Sequence, residues 1–155
     1  MRRRLRLSGT VLGLVGATLC FGAQAKDLEM LARLLIPAYL AQNFAALCVD
    51  QDVTFFDDPE EGMMFVSAFA EHVKKEITIG LPKSDAAYVR VTAADVARDT
   101  ARFEMRLLAA QNSSVSVEAL KQWCDRSAKH FIVEIINKHR QKHGQIDKLV
   151  EAAKR

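Results

Sequence analysis

Residues 65–82 read FVSAFAEHVKKEITIGLP. Phe65, Phe69, Val73 and Ile77 recur every four residues, with Val66 and Ala70 beside them. At 3.6 residues per turn this recurrence gathers the apolar side chains on one face of a helix. A strand would alternate with a period of two, and no such alternation is present. Gly80-Leu81-Pro82 ends the segment, because glycine tolerates the left-handed cap and proline cannot continue the ladder. Upstream, Pro59 suits a first helical position, so the helix is expected from residue 59 to about 79.

The same spacing extends outward in both directions. A helix is expected over about 27–49, with Leu28, Leu31, Leu35, Ala38, Leu40 and Leu47 among its apolar positions and Phe44 between turns. Pro37 lies inside it and predicts a kink or a break. A third helix is expected after Ser84 as N-cap, with Asp85 in its positive first turn, running to about 110. Its expected buried stripe is Val89, Val96, Phe103 and Leu107. Arg98, Arg102 and Arg106 line another face. Asp95, Asp99 and Glu104 lie close enough to make it an internally paired, solvated surface.

A fourth helix is expected from Val115 or Val117, capped by Ser114 or Ser116. Leu120, Cys124, Phe131 and Ile135 form its expected core stripe, with Trp123, Ile132 and Ile136 widening it. Gly144 reads as a C-terminal cap, and 145–154 as a further short exposed helix. Long amphipathic helices joined by short connections predict an all-α, up-down-up-down four-helix bundle.

Residues 1–25 stand apart from this pattern. Arg2, Arg3, Arg4 and Arg6 precede a short apolar run over 11–23, and Ala23-Gln24-Ala25 gives a small-x-small pattern. This reads as a cleavable secretory signal, cut before Lys26 and leaving one helical domain over 26–155. Leu19 before Cys20 is too large for a lipoprotein signal. The net charge of the whole chain is +3, and the signal alone carries four arginines and no acid. The remainder is nearly neutral, which argues against nucleic-acid binding. With no second segment expected to span a bilayer, no membrane insertion is expected after cleavage. The periplasm is the expected compartment, with full secretion as the alternative.

Two cysteines remain beyond the signal, Cys48 and Cys124. In an up-down-up-down bundle the first helix ends where the fourth begins. The two sulfurs are therefore expected to form one disulfide. The loop it closes is long, so the chain-entropy effect is roughly 4 kcal/mol.

Two patterns raise the question of bound cations. Residues 50–62 read DQDVTFFDDPEEG. Asp50, Asp52, Thr54, Asp58 and Glu61 fall at the side-chain ligand positions of an EF-hand calcium loop. Phe55 occupies the position that needs glycine, and Pro59 interrupts the last two ligands. A helix entrance explains the same residues better, with Asp58 as cap and Glu61 completing a capping box. His139 and His143, in HRQKH, are one turn apart and can chelate zinc, copper or nickel. Asp147 completes a third contact if the helix passes through Gly144. A solvated basic helix end competes with that reading. His130 belongs to another face, and His72 reads as a half-covered boundary residue.

There is no GxSxG, HExxH, Walker A or CxxCH pattern. No cofactor and no enzymatic activity are therefore expected. The leading expectation is a cell-envelope accessory protein that binds another envelope or periplasmic protein. The acidic loop and the basic C-terminal helix (nine Lys or Arg against four acids from Lys121 onward) would steer its docking. The alternative is a periplasmic metal- or small-ligand-binding protein using His139 and His143 or the acidic loop. An enzyme built on His72 and nearby acids comes third.

Overall fold

The computed structural model describes residues 16–49, 59–111 and 116–153, with side chains from residues 27, 62 and 116 onward in those three stretches. The described elements are all helices, with a turn at 79–82. Helix α1 covers Gly16–Val49, α2 Pro59–Thr78 and α3 Lys83–Gln111. The fourth rod is α4 (Val117–Trp123), one wide π-type turn (Cys124–Ala128) and α5 (Lys129–Ala153).

The core falls into two clusters stacked along α1. One joins Phe44, Ala45 and Cys48 near the end of α1 to Val66 early in α2, Ala97 and Ala101 in α3, and Cys124, Ala128, Ile132 and Ile136 in the fourth rod. The other joins Leu31, Ala32 and Leu35 on α1 to Val73 and Ile77 late in α2, Val89 and Ala93 early in α3, and Val150 near the end of α5. Successive helices thus contribute alternate ends to each cluster. That is the expected up-down-up-down bundle, with α1 at its centre.

The disulfide forms as the topology requires. Cys48 and Cys124 are bonded, with Cα atoms 5.7 Å apart, and both are fully buried. The π-type turn begins at Cys124, and the Lys129 amide reaches back five residues to its carbonyl. Such a turn absorbs one extra residue. Cys124 and Ala128 stay on the same buried side as Ile132 and Ile136. Trp123 packs edge-on against Phe44, with ring centroids 4.9 Å apart, consistent with a packing role.

Several local expectations need correction. Helix α1 runs through Pro37 without a break. Proline removes one ladder bond and clashes with the preceding turn, at about 3 kcal/mol. Burial of Leu31, Leu35, Ala38 and Ala41 on both sides offsets that cost. Residues 27–49 are also long and apolar enough to cross a membrane by composition, contrary to the expectation for the exported chain. Here their apolar surface is the axis of the core. In α2 the buried stripe is Val66, Ala70, Val73 and Ile77, while Phe65 and Met64 are exposed and Phe69 is half-buried.

In α3 the buried stripe is Val89, Ala93, Ala97, Ala101 and Leu108. Val96, Phe103 and Leu107 lie exposed instead. Alanines let the α3 backbone approach α1 closely, and larger side chains at those positions would hold the helices apart. Lys83 already belongs to the helix, and the Ala86 amide donates to the Pro82 carbonyl. Ser84 is therefore inside the first turn rather than its cap. The arginine face is paired as expected: Arg98 with Asp95, and Arg102 with Asp99 at 3.7 Å.

Ser116 is the cap of α4, its hydroxyl accepting from the Ala119 amide at 3.1 Å. Gly144 is not a cap. Helix α5 continues through it to Ala153, and the expected separate short helix is the last part of α5. Exposed glycine inside a helix costs about 1 kcal/mol. Val150 and Ile146 pack onto the second core cluster beyond it, which offsets the loss. Asp50, Asp52 and Asp58 lie outside the described residues, as does the side chain of Glu61.

Candidate metal centre

The buried stripe of the last helix contains an anomaly. Ile132, Ile136, His139, His143, Ile146 and Val150 follow each other at spacings of four, three, four, three and four. That is the seam spacing of a packed helix. Two histidines interrupt an otherwise apolar line, where polar atoms are costly unless they find partners. Their partners come from α2. Glu76 and His72 each precede a buried position, Ile77 and Val73, and so flank the α2 stripe on the side turned to α5.

Glu76 is the hub. Its Oε1 lies 2.6 Å from His143 Nε2 and 3.2 Å from His72 Nε2. Its Oε2 lies 3.0 Å from His139 Nε2. His72, Glu76, His139 and His143 each offer one ligand atom, all within 4.8 Å of one another. On each helix the two ligands are one turn apart, so the helices themselves pre-set the spacing. The His139 ring also packs edge-on against Phe69 at 5.4 Å, which fixes its plane.

Asp147 adds an outer layer. Its Oδ2 accepts from His143 Nδ1 at 3.0 Å. This contact is the third one expected if α5 passes through Gly144, although it reaches His143 rather than the cluster centre. A carboxylate on Nδ1 fixes a metal-binding imidazole with Nε2 facing inward. Without a metal, a proton on each His143 nitrogen satisfies both carboxylates. The hydrogen bond to Glu76, then the charges of Glu76 and Asp147, hold the His143 pKa above the ordinary histidine value.

The donor set fits a zinc-class ion. Three imidazole nitrogens and one carboxylate oxygen make a tetrahedral set for zinc, and imidazole also suits copper and nickel. Metal–ligand bonds of about 2.0–2.1 Å place tetrahedral ligand atoms about 3.3 Å apart. The contacts around Glu76, at 2.6–3.2 Å, are shorter than that, and the whole set spans up to 4.8 Å, so binding an ion requires the side chains to rearrange around it. The approach of His139 Nε2 to Glu76 Oε2 is close but not aligned as a hydrogen bond, and both atoms are buried.

The sequence singled out His139 and His143, and the structure brings them together with His72 and Glu76. His130 stays exposed and outside the cluster. His72 sits on the exposed rim rather than in a core pocket. A cleft of about 350 Å³ is lined by His139 with apolar side chains such as Leu34 and Ile146 and the cations Lys138 and Lys142, and neither His72 nor Glu76 lines it. Glu76 carries no expectation from the sequence, and His72 is expected only as a boundary residue, so neither is anticipated as a ligand. The available signal was the broken seam of α5, which requires a polar partner on the facing helix.

Comparison of the chain with protein-family models, characterised proteins and solved structures finds no match in any of the three.

Proposed function

We propose that this chain is a metal-binding protein that holds one divalent transition-metal ion of the zinc class through His72, Glu76, His139 and His143. The observation that carries the proposal is convergence. Four ligand-type side chains from two helices meet within 4.8 Å, and a second carboxylate orients one of them. We read the protein as exported to the periplasm. The basic and apolar N-terminus supports that reading, as does a disulfide of the kind that persists in oxidising compartments. The test is a titration of the metal-free chain with zinc. One equivalent binds, and His139→Ala/His143→Ala removes the binding. Uptake by the double variant equal to wild type would sink the assignment.

A second reading is docking to another envelope protein. Exposed Val96, Phe103 and Leu107 on α3 favour it, because they form an apolar flank beside the paired arginines. Its test is capture from envelope extract that is lost on Phe103→Ser. Equal capture by both forms would remove that surface from consideration.

A further inference from the structure

The four ligands are unequally covered. His139 and Glu76 are 11% and 17% exposed, whereas His72 and His143 are 62% and 49% exposed. An ion held here has a protected side anchored by His139 and Glu76, and an open side closed only by two imidazoles. From this asymmetry we infer, resting on the metal-binding reading above, that the centre is an exchange site. It passes a zinc-class ion to an acceptor offering nitrogen or carboxylate donors, by ligand exchange on the His72 side.

Three features support transfer rather than a structural role. First, structural zinc sites contribute the folding energy outright, so loss of metal unfolds them. Here the helices are held by two apolar clusters and a buried disulfide that leave the ion out. Release therefore demands no unfolding. Second, the cluster supplies imidazole and carboxylate but no thiolate, because Cys48 and Cys124 are bonded to each other. Thiolate is the ligand that most favours retention of soft and borderline ions.

Third, the two rim ligands differ in restraint. His143 is tied by Asp147 through Nδ1. Described contacts of His72 are its approach to Glu76 on its own helix and a ring contact with His139. His72 is thus the ligand free to swing out and admit an incoming donor. The step is a substitution: the acceptor's donor atom forms a bond to the ion as the bond to His72 Nε2 breaks. No electron changes hands, and the remaining ligands follow in turn.

The experiment loads the full oxidised chain with zinc and mixes it with excess 4-(2-pyridylazo)resorcinol, a chromogenic chelator. The expected result is a transfer rate that doubles when the chelator doubles, with the helical circular dichroism unchanged at the end. His72→Ala binds zinc more weakly and transfers it faster than wild type, whereas His139→Ala does not retain it. A slow rate independent of chelator concentration would overturn the inference, since the ion would then have to leave unaided. Loss of helix on zinc removal would overturn it too, by making the site structural. In both cases the loaded starting material leaves metal binding itself intact. Failure of wild type to take up zinc in the first step would overturn both readings together.

Discussion

The fourth rod is tied to the rest of the bundle in two places, and the two ties are opposites. At Cys124 the link to α1 is covalent, buried and surrounded by apolar side chains such as Phe44 and Ala128. At His139 and His143 the link to α2 is polar, half-open and made of groups that bind protons or metal ions. About 15 residues separate them, roughly 22 Å along a helix at 1.5 Å per residue. The first tie suits permanent stability. The second suits a reversible partner, and its partial exposure would be a poor choice for a staple.

The contrast is sharpest under reduction. Replacing Cys48 and Cys124 by serine removes a cross-link spanning a separation of 76 residues. The chain-entropy model assigns that roughly 4 kcal/mol. The melting temperature should fall steeply, while zinc affinity measured well below the midpoint should change little. Parallel loss of both would mean that the two ties are not independent.

Zinc loading should act next most strongly, in the opposite direction. At a free concentration of 100 times Kd the ion adds about 2.7 kcal/mol to stability. A melt of the oxidised chain should shift upward with zinc and return with EDTA. No shift at saturating zinc would deny any preference of the ion for the folded state.

Asp147→Asn keeps the shape of the outer partner but removes its charge. Outer partners of metal-bound histidines are worth about 10–100-fold in affinity. Zinc binding should weaken within that range with the melt of the metal-free chain barely altered. Unchanged affinity would leave Asp147 as a surface acid only.

Gly144→Ala should give a smaller effect of known sign. The position is helical and exposed, and open space surrounds an added Cβ. Alanine should raise stability by about 1 kcal/mol. At Gly80, whose φ is +79°, the same change should destabilise. If Gly144→Ala were destabilising, the helix would end there and Asp147 could not reach His143.

Acidity gives the smallest effect on the metal-free fold and a larger one on metal uptake. The His143 pKa is raised by Glu76 and Asp147. Its contribution to the metal-free fold is therefore full below the ordinary histidine value of about 6.5 and fades as pH rises through the raised value. Zinc competes with that same proton, so its affinity should rise with pH. Isothermal titration at several pH values checks this, and a flat profile would exclude imidazole ligands.

The sequence made the bundle legible because burial repeats. The apolar spacing of α2 and the stops at Gly80 and Pro82 are local signals, and the cysteine pair tested the topology independently. In α3 only Val89 of the expected stripe is buried, because close packing on α1 selects Ala93, Ala97 and Ala101 over larger side chains. The candidate metal centre is half legible in the sequence. His139 and His143 stand out by their spacing, but glycine at 144 signals a stop and masks the seam running on to Ile146 and Val150. Glu76 gave no local sign, since one acid on an amphipathic helix is ordinary. Only the facing of α2 and α5 turns it into the hub.

The most direct test of this account is the zinc content of the oxidised chain after saturation and gel filtration, measured beside His139→Ala/His143→Ala. The account predicts one zinc per chain in the wild type and none in the variant, with both equally helical. Zinc absent from the wild type, or retained equally by the variant, would contradict it.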